Sequence, residues 1–146
     1  MIRNLGILVI LFAVVLLAVG IVFVQQGFSK EAFLVDAMKQ EQITASGVED
    51  IVDNATKAQE AGDIVREHRH GISPTYGDLL GEGGRFDPTD TTQLSYAQAL
   101  NLENYLYLAV ASFGLFTIVK VVGASMIVIS LALGGTGYGL ILSSKK

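Results

Sequence analysis

The sequence predicts an all-α membrane protein: two antiparallel transmembrane helices that extend into a small helical extracytoplasmic domain with one long loop. Three observations lead there. Residues 5–24 (LGILVILFAVVLLAVGIVFV) carry no charge, residues 105–142 carry only Lys120, and all 14 Asp and Glu lie between Glu31 and Glu103. About 20 successive apolar residues can cross a bilayer as a helix. The acidic middle is then a single water-exposed unit held between two spans.

The totals narrow the function classes. A chain of 146 residues holds one compact domain at most. The stretch 25–104 is too short to bury more than a modest core alone, so it leans on the membrane helices, a second copy or a partner. It carries all 14 acids against six bases (Lys30, Lys39, Lys57, Arg66, Arg69 and Arg85), a net of −8. Such a field repels phosphate backbones and argues against nucleic acid as a partner. Cysteine is absent, which excludes a disulfide framework, a thiolate metal site and a Cys nucleophile.

Orientation follows from the bases outside that stretch. Arg3 precedes the first run, and Lys145 and Lys146 follow the second. Positive flanks stay on the cytoplasmic side. The expectation is a multi-pass protein of the cell (inner) membrane with both termini cytoplasmic. Residues 1–4 and 143–146 are inside, 5–24 and 121–142 span, and 25–120 form the extracytoplasmic acidic helical domain. The first run is longer than the roughly 7–15 residues of a signal-peptide core, and no A-x-A site follows it. That favours an uncleaved signal anchor over a cleaved leader.

Between the spans, Ser29 is placed to cap a helix over 30–43, either new or continuing the first span with a small kink at Gly27. Ser46-Gly47-Val48-Glu49 is a capping-box pattern, and the apolar residues from Val48 to Val65 recur at helical spacing, predicting a helix over 48–70. Gly71 and Pro74 stop it. Residues 71–93, with both prolines, read as one long loop, a length that is often functional. Thr92 or Ser95 then starts a helix that nothing interrupts before Leu142.

That last helix is longer than one bilayer. Its 38 apolar residues would reach roughly 57 Å at 1.5 Å each, against a hydrocarbon core of about 30 Å. Lys120 decides the placement. At mid-membrane it costs about 2.5–3.5 kcal/mol, whereas at the outer interface it can snorkel into water. The second span is therefore 121–142, and 105–119 stands above the membrane as an apolar helix that needs cover. Two short spans around Lys120 are the rival arrangement.

Three segments together carry a resemblance: EAFLVDAMKQEQIT (31–44), REHRHGISPTYGDLL (66–80) and FDPTDTTQLSYAQALNLENYLYLAV (86–110). The chain resembles small two-span bacterial membrane proteins with an extracytoplasmic helical domain that are known mainly as uncharacterised. The resemblance implies a two-span bacterial protein. It transfers no activity and no functional residue.

Five features of the sequence are candidate sites. Gly135-x-x-x-Gly139 places small residues four apart at the inner end of the second span, with Gly6 at the same depth and Gly20 near Gly123 at the outer end. These five glycines are candidates for helix packing, within the chain or between copies. Glu67 and His70 share a helix face at E-x-x-H spacing, with His68 between them. They are candidate metal ligands, set against the plainer role of cations at a helix C-terminus. Asn101, Glu103 and Asn104 enter apolar surroundings and call for partners, from residues 40–42 or from Arg69. Phe113 and Phe116, on the apolar helix above the membrane, are candidates for a partner interface. The Gly-rich stretch 81–85 carries no Lys-Ser/Thr and follows no strand, so it is no phosphate loop. No catalytic motif appears and no cofactor is implied.

The function expected from these features is a non-enzymatic accessory or scaffold protein of a cell-envelope complex. Its partners would be the lipid bilayer and either further copies of itself or other membrane subunits. The alternatives are an extracytoplasmic sensor or regulator, or a metal-dependent redox subunit.

Overall fold

The computed structural model describes residues 1–45 and 50–144. The protein is all-helical among the described residues. The elements are α1 (Ile2–Gln40), α2 (Ala55–Ile72), α3 (Tyr76–Leu80), a 3-10 turn at Gly81–Gly83, and α4 (Thr91–Ser143). α1 and α4 are both long and apolar enough to cross a membrane, and only 11% of the residues in the most apolar window of each are buried. That exposure is unlike the core helix of a water-soluble protein.

α1 runs unbroken through Ser29. Of the two arrangements expected there, the continuation of the first span forms and the cap does not, because no proline or glycine pair stops the helix and Ser29 lies inside it. α1 ends instead in a Schellman motif. Ile43 N–H donates to Met38 O at 3.0 Å and Gln42 N–H to Lys39 O at 3.1 Å. Gln42 sits at φ 53°, in the left-handed position usually given to glycine.

The chain then reverses through a bridge between Thr44 and Ile51. Ala45 N–H donates to Asp50 O at 2.9 Å, and Val52 N–H donates to Ile43 O at 2.9 Å. α2 therefore starts at Ala55, later than the 48–70 expectation. Ser46 and Glu49 of the expected capping box lie outside the described residues. The cap of α2 is Asn54, whose Oδ1 accepts from Lys57 N–H at 3.0 Å. Ile51 and Val52 fit a helical stripe by spacing, but they are spent on the bridge, and Val52 is fully buried. Lys57 secures this corner: its Nζ lies 2.8 Å from Asp50 and 3.3 Å from Asp53. The hydrogen bond it donates to Asp50 pushes its ammonium pKa up.

The stretch expected as loop contains local structure. α2 continues through Gly71 to Ile72, and Ser73 N–H then closes onto Arg69 O at 3.2 Å. Thr75 caps α3, accepting from Asp78 N–H at 3.1 Å. Gly81 and Gly84 turn the chain at φ 59° and 58°. α4 begins at Thr91, capped by Asp90, which accepts from Thr92 and Gln93 N–H at 2.8 and 3.2 Å. Ser95 bonds back to Thr91 O inside the helix and is not its cap.

The chain divides into two compact units. One is Met1–Ala32 with Leu115–Lys146; the other is Phe33–Gly114. In the first, the buried positions recur every seventh residue: Gly6, Ala13, Gly20 and Gly27 on α1, and Gly123, Ser130 and Gly137 on α4. The second has a small core that includes Val52, Ala58, Ala61, Tyr96, Leu106 and Phe113.

Candidate functional site

In the first unit, α1 and α4 meet backbone to backbone. A Cβ placed on Gly6 would lie 2.7 Å from Gly137 O, and one on Gly137 would lie 2.8 Å from Gly6 O. Gly20 and Gly123 repeat the arrangement, at 2.8 and 2.7 Å from each other's carbonyl oxygens. Real side chains do not approach that closely, so only glycine serves at these four positions. A seven-residue repeat corresponds to 3.5 residues per turn, which keeps one seam facing the partner along a left-handed supercoil. With small residues on the seam, van der Waals contact and Cα–H···O contacts replace interlocking large side chains.

Of the five candidate packing glycines, Gly6, Gly20 and Gly123 sit in these contacts. Gly135 and Gly139 have open space around their Cβ positions. The partner of Gly6 is Gly137, between them in the sequence. The sequence signal for this was the spacing of seven, present in both helices; the spacing of four marks a face of α4 that α1 does not cover.

At the Lys120 end of the seam, Gly27 leaves room for the Lys120 stem, since a Cβ there would meet Cγ at 2.5 Å. The side chain passes Gly27 and ends on Glu31, with Nζ 2.7 Å from Oε2. Nζ also lies 4.8 Å from the centroid of the Phe28 ring, a cation–π contact. Lys120 thus carries its own counter-ion. Glu31 has no partner in the sequence-based expectations, which miss this pairing.

The second unit is organised by a buried polar network. Arg69, on α2, is 8% exposed, and Glu103, on α4, is 6% exposed. Arg69 Nε donates to Glu103 Oε2 at 2.6 Å and Nη2 to Oε1 at 3.4 Å, a two-toothed pairing. Nη1 donates to Tyr96 Oη, and Nη2 also contacts His70 Nε2 at 3.1 Å. The hydrogen bond that Arg69 donates to Glu103 pushes the Arg69 pKa up, against desolvation acting the other way. Tyr76 packs on Tyr96 with ring centroids 6.1 Å apart. Of the two partners expected for Glu103, the structure uses Arg69.

A second contact joins the same two helices. The Tyr107 ring covers Gly62, with Cε1 3.0 Å from its Cβ position, and Tyr107 Oη donates to Asp63 Oδ1 at 2.7 Å. That hydrogen bond lowers the Asp63 pKa and raises the Tyr107 pKa. A carboxylate held below its ordinary value adds stability above about pH 4, lost as pH falls through the folded value. A phenol held above its ordinary value adds stability below about pH 10, lost as pH rises through the folded value. Asp63→Asn is therefore expected to flatten the acid limb of the stability–pH curve while retaining the fold. Acid and alkaline titration of thermal unfolding, wild type against variant, checks this.

The remaining candidates are dispersed. Glu67, His68 and His70 are all exposed on α2. Among the described residues, no group of three or more His, Asp or Glu side chains is arranged to hold a metal ion. Phe113 is only 3% exposed within the single chain, so it is a core residue and offers no surface to a partner. Phe116 is half-buried. The exposed apolar residues on this part of α4 are Tyr105, Leu108, Leu115 and Ile118, at 57–61%. Compared with protein-family models, with curated proteins and with solved structures, the chain finds no match.

Proposed function

We propose that the chain is a two-span protein of the cell membrane that acts as a non-enzymatic accessory or scaffold subunit of a cell-envelope complex. In this reading α1 and α4 cross the bilayer as an antiparallel pair. Both termini are cytoplasmic, and Phe33–Gly114 lies outside the cytoplasm. The bases at the inner ends, Arg3, Lys145 and Lys146, support that orientation.

The observation that carries the reading is an inversion of soluble packing. Small residues fill the seam, while Leu8, Leu11, Val128 and Leu131 stand 63–67% exposed. Such a surface suits hydrocarbon. The hydroxyls agree: Ser125 and Thr136 donate to Val121 O and Ala132 O one turn back, at 2.9 Å each. Polar groups in lipid must be satisfied internally, and these are. The Lys120–Glu31 pair then marks the outer boundary.

Assembly rests on a different feature. Within the acidic unit, Phe33 is 72% exposed, and Tyr105 and Leu108 are 60% exposed. Large apolar side chains outside the spans suit a subunit contact, with another copy or with other membrane subunits.

Two measurements test the proposal. A reporter active only in the cytoplasm should work when fused after Lys146 and stay silent when inserted near Gly83; the reverse pattern would overturn the orientation. Leu108→Asp should shrink the detergent-extracted assembly without impairing insertion. A wild-type protein that is monomeric, and unchanged by Leu108→Asp, contradicts the scaffold role.

A further inference from the structure

We propose that the groove beside the Lys120–Glu31 pair binds one outer-leaflet phospholipid with a phosphoethanolamine headgroup. This rests on the membrane reading above and adds a ligand to it. The groove holds about 370 Å³ and is lined by Val24, Phe28, Thr117, Lys120, Val121 and Ala124. Apart from Lys120 and the Thr117 hydroxyl its wall is hydrocarbon, suited to the acyl and glycerol part of a lipid. It lies where the charge-free stretches 5–24 and 121–142 give way to charge, the depth at which a lipid phosphate sits.

The polar end selects the headgroup. Lys120 and Glu31 are only partly buried, with 20% and 30% of their side-chain surface exposed. An ammonium has three N–H donors, and Lys120 directs one to Glu31 Oε2 while its charge rests over Phe28. The site therefore presents a donor cation and an acceptor anion side by side, with no net charge. An anionic headgroup meets the Glu31 carboxylate, 2.7 Å from the Lys120 ammonium. A quaternary ammonium has no N–H to give Glu31. A phosphate with a primary ammonium satisfies both, the phosphate at Lys120 and the ammonium at Glu31. Gly27 holds the site open, because any Cβ there would displace the Lys120 stem.

The test uses the full chain in vesicles made of equal parts phosphatidylethanolamine, phosphatidylcholine and phosphatidylglycerol. Flotation reads insertion, and native mass spectrometry after mild extraction reads the lipids retained. Phosphatidylethanolamine should be retained about tenfold over phosphatidylcholine, the worth of one charge-assisted hydrogen bond. Glu31→Gln should abolish that preference and raise phosphatidylglycerol. Ala124→Phe should block the groove and strip the bound lipid while leaving the ion pair intact. Floated protein that retains the three lipids in proportion overturns the proposal. So does a Glu31→Gln variant with the preference unchanged, or an Ala124→Phe variant that keeps its lipid. A chain that fails to float overturns the bilayer reading, and this proposal with it.

Discussion

Gly20→Leu or Gly123→Leu will force the two long apolar helices apart, whereas Gly135→Leu or Gly139→Leu will leave them paired. At the first two positions a Cβ meets a carbonyl oxygen of the opposite helix at 2.8 and 2.7 Å; at the last two it meets nothing within 4 Å. The obstacle is backbone, which cannot swing aside as a side chain would. Overpacking a close contact costs about 1–3 kcal/mol even where neighbours can relax, and more where they cannot. The four leucines have the same hydrophobicity and helix propensity, so the contrast isolates the seam. Thermal unfolding in detergent should fall for Gly20→Leu and Gly123→Leu and stay near wild type for the other two. Equal losses at all four would remove the seam from the account.

The second large effect is expected from the Arg69–Glu103 pair. Arg69→Met or Glu103→Leu alone should cost about 3–5 kcal/mol, because each strands a buried charge without its counter-ion. The double variant Arg69→Met, Glu103→Leu should recover most of the loss, since buried ion pairs are often replaceable by apolar pairs of like volume. The Tyr96 hydroxyl loses its Arg69 donor in the double variant as in Arg69→Met, which limits the recovery. Thermal unfolding of the three variants forms a double-mutant cycle. Additive losses would mean that the two residues act independently and that the network does not join α2 to α4.

Much of the architecture was legible because hydrophobic run length and charge segregation are read directly from sequence. The two long apolar helices, the uninterrupted α4 and the helical middle all follow from them. Lys120 stood out as the one charge in 105–142, yet its partner Glu31 lies 89 positions away and no local pattern joins the two. The start of α2 was misread because Ile51 and Val52 satisfy helical spacing and a bridge equally well. Only the tertiary contact of Val52 with Ile43 decides between them. Asn54 was a sound cap signal that the better-known Ser-x-x-Glu pattern overshadowed. The seam was hidden for another reason. A four-residue glycine motif is conspicuous, while Gly6, Ala13, Gly20 and Gly27 become visible only when the chain is read at a period of seven. Phe113 was assigned to a surface because 105–119 is apolar throughout, and composition alone does not say which face is already covered.

The central claim is that α1 and α4 pair within one chain, small residue to small residue, inside a bilayer. The chain has no cysteine, so an introduced pair reports cleanly. A Cβ on Gly134 would lie 4.0 Å from the Cβ of Ala13, within the span a disulfide bridges. The direct measurement is oxidation of the Ala13→Cys, Gly134→Cys protein in intact membranes, with Ala13→Cys, Gly139→Cys as the control. The account predicts a rapid bond within a single chain for the first pair and none for the second. Absence of that bond, a bond formed only between two chains, or equal reaction of the control pair would contradict it.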